Sequence, residues 1–567
     1  MLDMMPATAS GCVGEASPQE PEDLHRETVA VPSSGRLSRL CSRDEKERAA
    51  ALEALSRGVL SSASPGADGE QGLQRNTLLH LLRVSRTCPL PDIRERAAEL
   101  LRMAQARGVE VPQALVTGPS AFIPAEEICL SILQELGGLP DLVEAFLSTG
   151  RVDHVTMVMA LHPSYLRCFL RTQQALLQLD GPLPCDWRHY IVVMASARHR
   201  CSYLVQLHSD AFLQAGGDER WLQGLHCVPA KLRHLNLLNK LLAHRPWLLA
   251  QEHIADLVCP TSEQRWSLAE LIHAVVILVH AHSLSSFVWG CGINPELDHV
   301  GGHTFRPPSP SAHVSRSPAH ESATECQGEA EPGMSVPWNQ GANGEHEVEL
   351  LMERMQLLQR QQEQEEFSPE EMVTRFERER SERLLGQLSD VPCALPDSVS
   401  RFAEDAEFDY QDFAPRGEQA PPTLRAQVFS WEDHGFSLMN RLYPEIGQLL
   451  DEKFQVVSNL TYRTMAMHCD VETSMLRKAV QNYIQCVFGI RYDDYDYGDV
   501  NQLLELQLKV YIKTVACHPE ETSARMYAAF WRHFRHSEKV HVNLLLLEAR
   551  LQAALLYALR AIMRYMM

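Results

Sequence analysis

The chain has 567 residues, 45% apolar and 22% charged, and its 73 acidic side chains outnumber 52 basic ones to give a formal charge of −21. That balance fits a soluble globular protein of roughly three or four domains at ~150 residues each. The acidic excess argues against a broad nucleic-acid or anionic-membrane surface, since both need clustered cations.

Residues 1–36 are rich in Pro, Ser, Glu and Ala, and the segment 1–40 is expected to be disordered, with no apolar run of a secretory signal. Ser42-Arg-Asp-Glu45 reads as a capping box. Helices are expected at 43–58, 72–86 and 91–107, making a small helical extension over 41–117. From 118 to 291 apolar residues recur at three- and four-residue spacing, with Gly or Pro between helices. The longest apolar run, Leu268 to Val279, is twelve residues and contains Glu270 and His273. It is too short and too polar to span a bilayer and predicts a buried helix. Residues 292–394 turn to Pro, Ser, Gly and His and predict a flexible acidic linker. Within it, 346–388 predicts an exposed amphipathic helix pair hinged at Ser368-Pro369. After a polar break over 389–418, the segment 395–567 is again helical. Its last helix, starting near Ser537, is apolar on nearly every side and belongs at the centre of a bundle. The predicted fold class is therefore all-α, two helical halves joined by a long, largely disordered linker.

The fifteen cysteines are irregularly spaced with no CxxC, against a zinc ribbon, a thioredoxin-type motif or a disulfide scaffold. Reduced thiols in the cytosol or nucleus fit better. GxxxxGK[ST], GxGxxG and HExxH do not occur either.

Long, irregular strings resemble the sestrin family. They include Arg188-His-Tyr-Ile191, Arg198-His-Arg-Cys-Ser-Tyr-Leu-Val205, Asn239-Lys-Leu-Leu-Ala-His-Arg-Pro-Trp247 and Trp266-Ser-Leu-Ala-Glu-Leu271 in the first half. The second half supplies Trp431-Glu-Asp-His-Gly435, Phe488-Gly-Ile-Arg-Tyr-Asp-Asp-Tyr-Asp-Tyr-Gly498 and His536-Ser-Glu-Lys-Val-His-Val-Asn543. The lead-in with Leu40-Cys-Ser-Arg-Asp44 resembles the longer N-terminal form of the first vertebrate paralogue. The resemblance implies two related helical halves, each similar to bacterial alkylhydroperoxidase AhpD subunits. It implies a stress-responsive, intracellular L-leucine sensor that restrains TOR complex 1 signalling. The protein would bind the GATOR complex, and through it bear on the Rag GTPases, when leucine is absent. It would act in the cytoplasm and also the nucleus, with no cofactor, no metal, no nucleic acid and no membrane insertion.

Arg198-His199-Arg200 places the thiol of Cys201 among cations, which favour a thiolate. The resemblance implies a peroxidase site of Cys201, Tyr203 and His208. On a helix, Cys201 and His208 are ~10.5 Å apart along the axis, so a water or Tyr203 would have to relay between them. AhpD proteins carry a second Cys where this chain has Leu204, so no local resolving thiol exists. The plain alternative is a packed core cysteine.

In the second half the resemblance implies a leucine pocket. Arg477 would take the carboxylate, Glu538 the ammonium, and Leu476, Trp531 and Phe534 the side chain. Tyr462 and His541 would add contacts, His162 would complete the rim, and Thr461, Thr464 and Thr473 would form a latch. Independently, Thr473 and Arg477 are i, i+4 and share a helix face. Trp531, Phe534, Glu538 and His541 form one helical stripe if no break falls at Ser537. A carboxylate on an aromatic stripe is costly unless paired. The alternative is a structural Arg477–Glu538 salt bridge beside a core aromatic cluster.

Asp493-Asp-Tyr-Asp-Tyr-Gly498 fails as a calcium loop, because Tyr495 and Tyr497 take ligand positions and Leu504 stands where Glu is needed. It reads as a solvated acidic loop, or as a protein interface in which Tyr492, Tyr495 and Tyr497 supply apolar area. The resemblance makes Asp493, Asp494 and Ser267 partner-binding positions. The two functions in competition are a leucine-responsive adaptor and a thiol-dependent alkyl hydroperoxide reductase using Cys201.

Overall fold

A computed structural model of the chain describes residues 39–61, 68–111, 118–258, 265–297, 342–362, 399–405, 407–411, 424–460, 464–493 and 495–567. The expected disordered N-terminus, most of the linker and the second helix of the expected 346–388 pair lie outside these residues. The described fold is all-α, with only four two-residue strands. β1 (Leu424–Arg425) pairs in parallel with β4 (Ile490–Arg491), and β2 (Thr464–Met465) pairs antiparallel with β3 (His468–Cys469).

The extension is three helices, α1 (Glu45–Ser61), α2 (Asp68–Thr87) and α3 (Pro91–Ala106). They pack through Leu52, Leu55, Leu81 and Leu100. The Ser42 capping box does not form as expected. The helix starts at Glu45, so the capping role passes to Asp44, whose carboxylate accepts from the Lys46 N–H at 2.9 Å. Ser42 instead donates to Glu47 at 2.5 Å.

The first half closes on its own ends: Ser120 bridges Ile293, and the Ala121 N–H donates to the Gly292 carbonyl at 2.8 Å. Its main helices are α4 (Pro163–Leu177), α5 (Cys185–Arg198), α6 (Ser202–Gln214), α7 (Asn236–His244) and α8 (Leu268–Gly290). Then comes α9 (Ala342–Gln362), the one described helix of the linker. It was expected to be exposed, but Val348, Met355 and Leu358 are buried, because they fall on one face that packs against the second half. The second half contributes α10 (Pro444–Asn459), α11 (Ser474–Val487), α12 (Leu506–Cys517) and α13 (His536–Met566).

The halves meet like on like: α8 packs on α13, and α4 on α10. α8 runs 23 residues, nearly twice the apolar run, because its serines satisfy themselves. Ser283 donates to the Val279 carbonyl at 2.9 Å and Ser285 to the Ala281 carbonyl at 2.8 Å. By length and composition α8 and α13 would both suffice to cross a membrane, and both are buried inside the protein. Between them, α13 also fixes charges in the core. Lys453 of α10 lies 3.1 Å from Glu548, which accepts from Tyr165 of α4. Arg550 donates to the Ala243 carbonyl of α7 at 2.9 Å. Breaking such a buried group's pairing is costly, so these contacts hold the halves in one register.

Candidate functional site

A cleft enclosing about 480 Å³, part of it open to solvent, lies between α11, α13 and the β2–β3 hairpin. Arg477 enters it from the first turn of α11. Thr473 is the N-cap of that helix and accepts a hydrogen bond from the Arg477 guanidinium, as the i, i+4 spacing predicts. Arg477 also donates from Nε to the Ser458 carbonyl at 3.0 Å. Burial draws its pKa down, opposed by Glu472. Two anchored nitrogens leave further N–H donors of the fixed fork for an anion.

Glu538 faces it from the first turn of α13 and is 9% exposed. Its Oε1 accepts from the Ala466 N–H at 3.1 Å and its Oε2 from the Arg535 N–H at 2.8 Å. The helix N-terminus favours its negative charge as well. Among the described residues, the ion pair of Arg477 is with Glu472 at 4.0 Å, not with Glu538. The structural Arg477–Glu538 bridge is therefore not how these charges are used. Both are anchored to backbone in an apolar enclosure.

That enclosure is Leu476, Trp531 and Phe534, joined by Leu460, Met465, Val480, Val542 and Leu545. Trp531 and Phe534 stack with centroids 4.3 Å apart. The condition for one helical stripe is not met, because the preceding helix ends at Ala529 and α13 begins only at His536. Trp531 sits in the preceding turn at φ +44°, its N–H donating to Glu505 at 2.8 Å. A bulky residue in left-handed backbone stores strain that its surroundings must hold. His541 lines the cleft, and its Nε2–H donates to the Val457 carbonyl at 3.0 Å. Burial lowers its pKa to about 4, so the ring is neutral. His162 is buried behind it, with ring centroids 5.6 Å apart, donating from Nε2 to the Ser537 carbonyl at 2.9 Å. It supports His541 rather than forming a rim. Thr461 and Tyr462 lie outside the described residues. Thr464 opens β2, and its side chain is not among those described. Of the lining residues that sequence reasoning missed, two were within its reach: Val480 lies four beyond Leu476, and Leu545 four beyond His541.

The Cys201 region differs from expectation. Cys201 is the N-cap of α6, fully buried, and burial pushes its thiol up to about 12. The neighbouring cations do not serve it, because the backbone turns them elsewhere. The Arg198 guanidinium donates to the carbonyls of Glu404 and Phe408, at 2.5 and 2.6 Å. His199 meets His282 at 3.0 Å. Tyr203 donates to Glu296 at 2.6 Å, and His208 pairs with His189 at 3.1 Å. Burial drives the His208 pKa well down. Tyr203 and His208 thus have separate partners, and no hydrogen bond among the described residues joins either side chain to the Cys201 thiol.

The acidic loop is not a solvated one. Tyr495 and Tyr497 are buried, and the Tyr497 hydroxyl accepts from the Tyr492 N–H at 2.6 Å. Asp493 accepts from Arg425 Nε at 2.8 Å and lies 3.5 Å from Arg491, which ties β1 to β4. Asp494 lies outside the described residues. Ser267 is exposed and caps α8, accepting from the Glu270 N–H at 3.2 Å.

A family profile described as PA26 p53-induced protein (sestrin) matches residues 118–566. Sestrin-2 of Mus musculus is 59% identical over 457 residues, which cover 79% of this chain and 91% of its own length. Sestrin-1 of Xenopus laevis is 55% identical over 459 residues, covering 81% and 94%. Sestrin-3 of Mus musculus is 53% identical over 470 residues, again covering 81% and 94%. Values this similar place the likeness at the level of the family rather than of one paralogue.

Proposed function

The chain belongs to the sestrin family of stress-induced regulators, and from that premise we propose that it is a leucine-responsive negative regulator of TOR complex 1 signalling. The observation that carries this reading is the cleft itself. One guanidinium and one carboxylate, each anchored to backbone and not to each other, flank an aromatic-aliphatic wall. A free α-amino acid presents the complementary set: carboxylate, ammonium and apolar side chain. Leucine would lie between Arg477 and Glu538, with the threonine latch of Thr461, Thr464 and Thr473 over it. Selectivity over valine from wall shape alone is about 1–3 kcal/mol, one methylene's worth.

The ligand-free protein would bind the GATOR complex through surfaces that include Ser267, Asp493 and Asp494, and leucine would release it, with consequences for the Rag GTPases. Linkage requires leucine to favour the partner-incompetent state, and a tenfold effect needs ~1.4 kcal/mol. The setting of this exchange is the cytoplasm, with a nuclear pool. Peroxide reduction at Cys201 is the weaker reading, since burial rather than a cation governs the thiol and Leu204 stands at the local resolving position.

Thermal unfolding with leucine, isoleucine, valine and arginine tests the proposal. At 100 times its dissociation constant, leucine adds ~2.7 kcal/mol of stability to the wild type. Glu538→Ala should lose that gain while still unfolding cooperatively. No shift with any amino acid, in folded protein free of co-purified leucine, overturns the reading.

A further inference from the structure

The two halves repeat a set of helix positions. α4 and α10 each begin with proline, after an N-cap at φ −131°, ψ 77° in the first and φ −152°, ψ 78° in the second. The fourth residue of α5 is Arg188, and the fourth of α11 is Arg477. The third and sixth residues of α8 are Glu270 and His273, and those of α13 are Glu538 and His541.

The hydrogen bonds repeat as well. His273 donates to the Leu176 carbonyl at 2.9 Å, as His541 does to Val457 at 3.0 Å. Each acceptor stands at the fourteenth position of its helix. Glu270 accepts from the Ser267 N–H at 2.8 Å, as Glu538 does from Arg535 at 2.8 Å. Even the contacts across the halves match. The N-cap residue His162 lies 5.6 Å from the ring of His541, and its counterpart Tyr443 lies 5.3 Å from that of His273.

The first half therefore holds a second cradle with the same arginine, glutamate and histidine. In this copy Lys231, from the short helix Ala230–His234, sets its Nζ 2.9 Å from both oxygens of Glu270. The same ammonium lies 5.1 Å from the ring centroid of Trp266 and 5.8 Å from that of Trp187. Those tryptophans occupy the positions of Phe534 and Leu476, so the wall is thickened where the other cleft is open. The Lys231 carbonyl accepts from the Trp266 indole at 3.1 Å, which fixes the segment from both ends.

We propose that Lys231 is a tethered ligand: its ammonium permanently fills, in the first half, the subsite that a free amino acid's ammonium fills at Glu538 in the second. The inference rests on reading Glu538 as an ammonium acceptor. Its consequence is a division of labour. The Trp266–Ser267 turn is held in the occupied arrangement whatever the amino-acid supply, and only the second half responds. The chemical class this subsite takes is a primary alkylammonium.

The test is chemical rescue in the full chain carrying Glu538→Ala, so that the second cleft is silent and the outcome does not depend on leucine binding there. Lys231→Ala removes three carbons and the ammonium, which propylammonium restores. Propylammonium should raise the unfolding midpoint of Lys231→Ala above any effect on the Lys231 parent. Tetramethylammonium at equal concentration should not, and Lys231→Ala with Glu270→Gln should not respond. Equal effects of the two cations, or a response that survives Glu270→Gln, overturn the proposal. A second measurement avoids any folding defect. Acetylation of Lys231 in the wild type should run at least tenfold slower than that of exposed Lys46, and Glu270→Gln should bring the two rates together. Equal rates in the wild type overturn it also.

Discussion

Cys201 and Glu538 are both almost wholly withdrawn from water, one in each half, and their surroundings make opposite chemistry of them. Cys201 is enclosed without a cation, and burial pushes its thiol up to about 12. Glu538 is enclosed with two backbone N–H donors at a helix start, in a cleft that also presents Arg477. Burial alone silences a group. Burial with a matching set of dipoles prepares it for a charged ligand. The half that looks catalytic in sequence is thus the quieter one.

The largest effect that could break this contrast is in thiol labelling. At pH 7.5 the pKa of about 12 leaves Cys201 on the order of a thousandfold less thiolate than an ordinary thiol near 8.5. Alkylation followed by mass spectrometry should find Cys201 that much slower than exposed Cys469. Comparable rates would restore the peroxidase reading. Next is Arg477→Ala. Removing a buried charged partner costs about 2–5 kcal/mol, or roughly thirtyfold and upwards in leucine affinity by calorimetry. Arg477→Lys, which keeps charge but not the fork, should fall between.

The smallest effect sharpens the contrast through pH. Burial lowers His162 to about 3 and His541 to about 4, against ~6.5 for a free imidazole. In the folded chain both rings stay neutral from pH 8 to 6.5, so leucine affinity should be flat across that range. Below 6.5 the unfolded chain takes up protons that the folded chain refuses, so stability falls as pH drops toward 4. Urea midpoints measured from pH 7 to 4.5 should decline throughout that window. A flat profile would mean that these rings titrate alike in the folded and unfolded chains.

Much of the fold was legible because helical periodicity is local: the three extension helices and the central α13 stand within a few residues of expectation. The full length of α8 was not, since Ser283 and Ser285 read as polar until their hydroxyls bond back to the helix. In the site, Thr473 and Arg477 were legible from an i, i+4 spacing. Whether Trp531 shares a helix with Glu538 is open in the sequence, because nothing local announces a left-handed tryptophan held by Glu505. Cys201 misled for a related reason. Sequence neighbours are cations, but Arg200 stands at φ +49°, Arg198 is engaged with the carbonyls of Glu404 and Phe408, and burial governs the thiol. Tyr495 and Tyr497 looked like interface residues because burial, unlike spacing, is decided by distant segments.

The pairing of α8 with α13 also has a timetable. Its two members start 268 residues apart in the chain, at Leu268 and His536. At ~5–20 residues per second, a ribosome takes on the order of tens of seconds to cover that distance. Throughout that interval the face of α8 that α13 covers, which includes apolar side chains, is left open. A chaperone that shelters such helices is expected on the nascent chain, and a premature stop before His536 should yield an aggregating fragment rather than a free-standing first half.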